Sequence, residues 1–263
     1  MSSIRIVSWN VQGRPTITGY TPYTKILPSL TALSYADIIV LQEFVDAERR
    51  LKSLQNQGWY VGTLERTMVN GGGRKNHNAL VSKFPIVDIS ELATGSFESQ
   101  PCIRAVVKIA DGHMLCVYVC HFRIFKSGPR TRLAQLKAIC QDAEQYPGPV
   151  VIAGDLNTGV PAPGFGRAAV TLWHQISTDE LVLPEGFLRS DERVPFARVA
   201  ADYRFVDAFD IQRPTWSPFK STALELFKLK LDWFLVRGLT VQSARMHSYV
   251  SDHRALEVEL ELS

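Results

Sequence analysis

The sequence predicts a strand-rich α/β protein, and three observations predict it. Short β-branched or apolar runs recur nine times, and helical spacing of apolar residues marks three longer segments. The two kinds of segment alternate irregularly, with no internal repeat, low-complexity tract or linker to divide the 263 residues. At 46% apolar and 21% charged content the chain reads as one large globular domain, which excludes fibres and disorder.

Taken in order, the first strand is 4–7 (IRIV). A helix comes next over 24–35, with Ile26, Leu27, Leu30 and Leu33 on one face, and then a strand at 37–41 (DIIVL). Ala47, Leu51 and Leu54 predict a helix over 46–57, and Gly58 stops it. Strands are predicted at 79–81, 86–89, 103–109 and 114–120, then a helix over 131–145 from Leu133, Leu136, Cys140 and Ala143. The strand 150–153 precedes a segment, 159–200, that breaks the rhythm with Pro161, Pro163, Pro184, Pro195, Gly159, Gly164, Gly166 and Gly186. That segment is expected to be a long loop carrying one short helix near 167–176, inserted in a single domain spanning 1–263. Strands at 231–236 and 255–260 complete the order.

Composition limits the function classes. The run Met114 to Cys120 is among the longest unbroken apolar stretches, far short of the roughly 20 residues that cross a bilayer. The strand-like run beginning at Ile4 leaves no room for a secretory leader, so a cytoplasmic location is expected. Cys102, Cys116, Cys120 and Cys140 include no CxxC pair and are expected to be reduced core thiols. A net charge of +3 is not the footprint of a strong nucleic-acid binder, although a local basic face is compatible with it.

The chemistry lies at the ends of the strand-like runs. IRIVSW ends in Asn10, DIIVLQ in Glu43, MLCVYVC in His121, and PVVIAG in Asp155 and Asn157; LKL meets Asp232, and SYVS meets Asp252 and His253. Strand ends on a rigid sheet can converge on one rim however far apart they lie in sequence. Singly each has a plainer reading. Asn10 suits a turn, Glu43 the approach to a helix N-terminus, His121 a satisfied core position, and Asp155 and Asn157 an Asx-turned loop. Asp232, flanked by Leu231 and Trp233, is harder to place that way, because a buried carboxylate needs a partner, and Ser251-Asp252-His253 offers a histidine. Together, the oxygen donors Glu43, Asp252 and Asn10, without cysteine or a histidine pair, suit Mg²⁺ or Mn²⁺ rather than zinc. A hard cation beside a His–Asp pair suits phosphate-ester hydrolysis. No GxSxG nucleophile elbow occurs, and Gly71-Gly72-Gly73 lacks the GK[ST] ending of a P-loop.

The strings SWNVQG (8–13), LQE (41–43), HNALVSKFPI (77–86), CHF (120–122), GDLNT (154–158), LDWFLV (231–236) and SDHRALEVEL (251–260) resemble, in order and spacing, the endonuclease/exonuclease/phosphatase superfamily of deoxyribonuclease I and exonuclease III. The resemblance implies a four-layered α/β/β/α sandwich with two packed mixed β-sheets and an active site at one rim. It implies Glu43, Asn10 and Asp252 around a divalent ion, Mg²⁺ or Mn²⁺. His253, supported by Asp232, would contact the scissile phosphate or act as general base. Asp155 would orient water or protonate the leaving oxygen, and Asn157 would hold the water or a phosphoryl oxygen. His121 and Asn78 would contact phosphate, and Arg104 resembles an arginine that several branches aim at phosphate, beside the plainer reading of a surface strand charge.

Two departures narrow the branch. Gln12 stands where apurinic endonucleases carry an acid, and His121 where they have tyrosine, which makes abasic-site cleavage unfavoured and leaves a second metal in doubt. His77, before Asn78, is read as either a further phosphate contact or a loop residue, with the loop favoured. Basic residues at Arg74-Lys75 and at Arg123, Lys126, Arg130 and Arg132 flank motif residues and suggest a positive rim for a polyanion, with Arg130 and Arg132 as substrate contacts and Trp173 as a candidate exposed aromatic. The expectation is therefore a metal-dependent phosphodiesterase, acting as a nuclease on DNA or RNA and as a monomer. The alternatives are a phosphodiesterase or phosphatase of a lipid headgroup or small phosphorylated metabolite, and an inactive binding module on the same fold.

Overall fold

A computed structural model describes residues 3–12, 23–45, 47–63, 68–69, 75–94, 102–109, 112–122, 128–158, 191–216 and 229–262; at 23, 45, 47–50, 68–69, 75–77 and 128–129 it describes the backbone alone. The strands are β1 (Ser3–Asn10), β2 (Ile38–Val45), β3 (Tyr60–Thr63), β4 (Met68–Val69), β5 (Lys75–Ser82), β6 (Ile86–Leu92), β7 (Cys102–Lys108), β8 (Met114–His121), β9 (Val150–Asp155), β10 (Val206–Asp207), β11 (Asp232–Arg237), β12 (Thr240–Ser248) and β13 (Arg254–Glu261). The helices are α1 (Tyr23–Ala32), α2 (Ala47–Gln55), α3 (Gly128–Glu144) and α4 (Arg193–Asp202).

The strands form two mixed sheets. One runs β12-β13-β1-β2-β5-β3 with β4 also on β5, and the other runs β10-β11-β9-β8-β7-β6. Each holds one parallel pair, β1 with β2 and β8 with β9, and is otherwise antiparallel. The period-2 alternation of side chains divides each central strand between two cores. Ile4, Ile6, Ile38, Val40, Leu80, Val117, Val119, Val151, Ala153, Phe234 and Val236 meet in the core between the sheets. Val7, Trp9, Ile39 and Leu41 face outward onto Ile26 and Leu30 of α1, Leu33 just after it and Leu51 of α2. Cys116, Tyr118, Ile152 and Trp233 face the other way, onto Leu136, Ile139 and Cys140 of α3 and Phe196 and Val199 of α4. These are the four layers α/β/β/α, and the nine strands and three helices read from the sequence are among them. All four cysteines are free and buried. Among the described residues no helix is long and apolar enough to cross a membrane.

Helix α4 departs from the expected loop over 159–200. Phe196, Val199 and Ala200, spaced as one helical face, bury it against the second sheet. Pro195 sits in its first turn, where a backbone N–H has no intrahelical partner to lose. Asp191 starts the helix by accepting the Arg193 N–H at 3.0 Å and the Arg193 guanidinium at 2.6 and 2.8 Å. The rest of the expected insertion, 159–190, with Trp173 and the helix near 167–176, lies outside the described residues, as do Arg74, Arg123 and Lys126.

Candidate active site

Strand parity carries the polar residues to one rim. On β1, Ile4 and Ile6 point between the sheets, and so Asn10 does too; on β8, Val117 and Val119 set His121; on β9, Val151 and Ala153 set Asp155; on β11, Phe234 and Val236 set Asp232. Because β1 runs parallel to β2 and β8 parallel to β9, both parallel pairs end at the same rim, where Asn10 Nδ2 donates to Asp155 Oδ2 at 3.0 Å across the two sheets. Leu80 on β5 gives Asn78 the same facing, and its Nδ2 reaches the Val119 carbonyl at 3.5 Å.

Glu43 reaches the rim differently. On β2 the inward parity belongs to Ile38 and Val40, which would turn Glu43 outward. A bulge between Leu41 and Phe44, with Glu43 at φ 55, restores it. His121 Nε2 then lies 3.6 Å from Glu43 Oε1 and 3.6 Å from Asp155 Oδ2. Gln12 (φ 51) and Asn157 (φ 50) also adopt left-handed backbone, so among the described residues three of the four non-glycine residues in that region belong to this rim. Gly154 answers a separate constraint. At φ +144, a Cβ there would lie 2.0 Å from the Cys120 carbonyl oxygen, so the residue before Asp155 must be glycine.

A histidine–carboxylate pair completes the cluster. His253 Nδ1 lies 2.9 Å from Asp232 Oδ2 and 3.1 Å from its Oδ1, which turns Nε2 toward Asp155 Oδ2 at 3.7 Å and Asp252 Oδ1 at 3.9 Å. Thr215 Oγ1 fixes Asp232 by accepting the N–H of Leu231 at 3.0 Å and of Asp232 at 2.9 Å. Asp155 is held on both oxygens, Oδ1 by the Asn157 N–H at 3.0 Å and Oδ2 by Asn10, while Asn157 Nδ2 donates to the Phe122 carbonyl at 2.8 Å. Ser251 Oγ donates to the Asn10 carbonyl at 2.7 Å and accepts the His253 N–H at 3.1 Å, tying the 251–253 turn to β1.

The electrostatics arise from packing four carboxylates with two imidazoles. Burial pushes the Asp155 carboxyl up to about 7, reinforced by the charges of Asp232 and Glu43 against the pull of His253 and the Asn10 amide. Burial also raises Asp252, and Glu43 adds to it, against His253, Trp216 and Ser251. For His253 burial works toward the neutral ring, but Asp232, Asp155 and Asp252 outweigh it and hold the imidazole well above its usual range.

Asp155, Asp232 and His253 are near enough together to hold a metal ion. Both Asp232 oxygens, however, are spent on His253 Nδ1, which marks Asp232 as the carboxylate that orients an imidazole. Glu43, Asp252 and the Asn10 amide oxygen could offer a hard cation oxygen ligands, and a cation there would offset the burial, and after it the Glu43 charge, that raise Asp252.

The arginines expected to bind substrate are not brought there together. Arg104 has the opposite parity to Ile103 and Ala105; it faces α3, 2.8 Å from Asp88 and 3.3 Å from Asp142, over the Tyr146 ring. Arg132 is fully buried, with its Nε 2.9 Å from Glu192 Oε2 and its Nη2 on Glu192 Oε1, so the expected rim contact is corrected to an internal pair joining α3 to the start of α4. Arg130 is exposed on the first turn of α3. The backbone of His77 lies in β5, opposite Phe44, rather than in a loop.

Residues that sequence reasoning missed hold the site from behind. The Trp216 indole N–H donates to Asp252 Oδ2 at 2.9 Å, Gln12 Nε2 donates to the same oxygen at 3.0 Å, and Thr158 Oγ1 accepts the Trp233 indole N–H at 3.0 Å while donating to the Lys230 carbonyl. Gln12 and Thr158 belong to the motifs SWNVQG and GDLNT; Trp216 carries no local signal.

A family model described as the endonuclease/exonuclease/phosphatase family matches residues 7–253. Among solved structures, zebrafish (D. rerio) TDP2 complexed with single strand DNA product is similar at 16% identity and TM-score 0.68, covering 100% of both chains. The human Nocturnin catalytic domain with bound sulfate is similar at 18% identity and TM-score 0.67, over 99% of this chain and 94% of that one. The 3′ phosphatase NExo from Neisseria, bound to a product DNA hairpin, is similar at 18% identity and TM-score 0.63, over 98% of this chain and 100% of that one. No curated protein matches the chain.

Proposed function

The chain belongs to the endonuclease/exonuclease/phosphatase family, and from that premise we propose that it is a divalent-metal-dependent phosphodiesterase, a monomeric nuclease acting on DNA or RNA. The observation that carries this reading is the His253–Asp232 pair at 2.9 Å, with Nε2 turned toward Asp155 inside a cluster of oxygen donors. Glu43, Asp252 and Asn10 would hold the cation, Mg²⁺ or Mn²⁺, which when bound neutralises phosphoryl charge.

The chain's own residues supply the rest. Asp232 accepts the Nδ1–H of the His253 imidazolium, so that the Nε2–H faces the phosphoryl group. Asp155, kept in place by Asn10 and the Asn157 N–H, takes the proton of the attacking water as its oxygen bonds phosphorus, while the opposite bond to the ester oxygen breaks and that oxygen is protonated from solvent. His121 and Asn78 flank the same rim and bind the phosphoryl oxygens as charge builds in the transition state. Polynucleotide as substrate draws support from the DNA products bound to D. rerio TDP2 and to NExo.

One observation favours a second reading, hydrolysis of a small phosphate ester or lipid headgroup. Arg132 is buried and Arg104 is tied to two aspartates, which leaves Arg130 as the exposed one of the three arginines expected to bind substrate. Plasmid DNA, single-stranded RNA, bis-p-nitrophenyl phosphate and p-nitrophenyl phosphate offered with Mg²⁺, with and without EDTA, separate the two. Metal-dependent cutting of DNA or RNA is the expected result; turnover of the small esters with both polynucleotides intact would replace the nuclease reading with the second.

A further inference from the structure

Asp252 is the least enclosed of the oxygen donors by its own backbone, since it stands in the turn between β12 and β13 rather than on a strand. Its orientation therefore comes from side chains. Two neutral donors meet on one of its oxygens, Gln12 Nε2 at 3.0 Å and Trp216 Nε1 at 2.9 Å, both on Oδ2. Oδ1 is left toward the rim, 3.9 Å from His253 Nε2, with Ser251 Oγ at 3.3 Å.

Each donor is itself fixed by the site. Gln12 is buried at φ 51, a backbone region costly for a residue with a Cβ, and its N–H donates to Asn10 Oδ1 at 2.9 Å. Trp216 is bridged by backbone to Leu229 and to His253, which sets its ring against the 251–253 turn. The two donors thus connect Asp252 with Asn10 on one side and with the strand that leads to Asp232 on the other.

We propose that Gln12 and Trp216 are positioning residues, a two-donor clamp that fixes the Asp252 carboxylate with Oδ1 presented to the divalent cation. The proposal rests on the reading of Asp252 as a cation ligand. Because both donors are neutral, the clamp orients the carboxylate without neutralising it. Where an acidic residue at position 12 would add a second anion beside Asp252, Gln12 spends its side chain on holding the one that is there.

The test is calorimetric titration of Mn²⁺ into EDTA-dialysed wild type, Gln12→Leu, Trp216→Phe and Glu43→Ala, with metal-free thermal unfolding of each. None of the clamp variants changes the charge of the site. Loss of one hydrogen bond to a charged group predicts a Kd for Mn²⁺ raised about tenfold in Gln12→Leu and in Trp216→Phe, and the two variants stand in for one another if either fails to fold. Wild-type affinity in the clamp variants, with or without a lowered unfolding midpoint, while Glu43→Ala fails to bind, would overturn the clamp and leave the metal reading standing. Wild type that binds no Mn²⁺, or Glu43→Ala that binds it normally, would overturn the metal reading and the clamp with it.

Discussion

Replacing Asp232 by asparagine removes the charge that supports His253 and little else. The amide oxygen can still accept from Nδ1, and Thr215 Oγ1 still holds the backbone N–H of residue 232. Opposite unit charges 2.9 Å apart interact by about 6 kcal/mol at an effective dielectric of about 20. The retained hydrogen bond offsets about half of that, which leaves ~3 kcal/mol of lost transition-state support. At about 1.4 kcal/mol per decade this is a hundredfold or somewhat more in kcat/KM. The assay is hydrolysis of bis-p-nitrophenyl phosphate at saturating Mg²⁺, with the unfolding midpoint of Asp232→Asn measured beside it. A folded Asp232→Asn that loses less than about fivefold would refute the assignment of Asp232 as the electrostatic partner of a catalytic His253.

Four further substitutions probe the rest of the structure. Gly154→Ala, whose Cβ would lie 2.0 Å from the Cys120 carbonyl oxygen, should destabilise by more than about 4 kcal/mol; a thermal midpoint within about 2 °C of wild type would contradict the need for glycine there. Arg132→Ala strands the buried Glu192 carboxylate and should cost about 3–5 kcal/mol. Arg130→Ala, at an exposed position, should stay within about 0.5 kcal/mol while lowering the salt slope of polynucleotide binding by about one; equal unfolding midpoints for the two would contradict the burial contrast. Glu257 is held below the usual carboxylate range: burial works upward, but Tyr35, at 2.5 Å, His247, at 2.6 Å, and Arg5 outweigh it. A depressed carboxylate stabilises the fold above its unfolded value and loses that contribution as pH falls through its folded one. The stability gap between wild type and Glu257→Gln should therefore be full at pH 7 and close below about pH 4, and a gap that widens on acidification would reverse the sign.

The core strands were legible because their apolar residues alternate between two buried faces, and the same parity carried Asn10, His121, Asp155 and Asp232 to the rim. What was not legible arose from contacts made across the fold. Strand β12, TVQSARMHS, is a sheet edge with no run of buried residues, so it lacks the apolar signal that marked its partner β13. Helix α4 was masked by its Pro195, which reads as a breaker until its place in the first turn is known. The inward turn of Glu43 depends on a bulge that an unbroken alternation does not announce. Arg132 matched the charge pattern of a basic rim, yet its partner Glu192 lies 60 residues away and turns it into the core. Trp216 met Asp252 only through tertiary contact, 36 residues distant.

Glu43 is where the bulge, the neighbouring His121 and the oxygen-donor set meet, and its removal bears on them together. EDTA-dialysed wild type and Glu43→Ala, each titrated with Mg²⁺ during hydrolysis of bis-p-nitrophenyl phosphate, should separate cleanly. Wild type should be silent without the cation and recover with it, whereas Glu43→Ala should stay at least about a hundredfold slower at the same Mg²⁺. Wild-type turnover that persists in EDTA, or a Glu43→Ala protein that recovers in full, would contradict a metal-dependent phosphodiesterase at this rim.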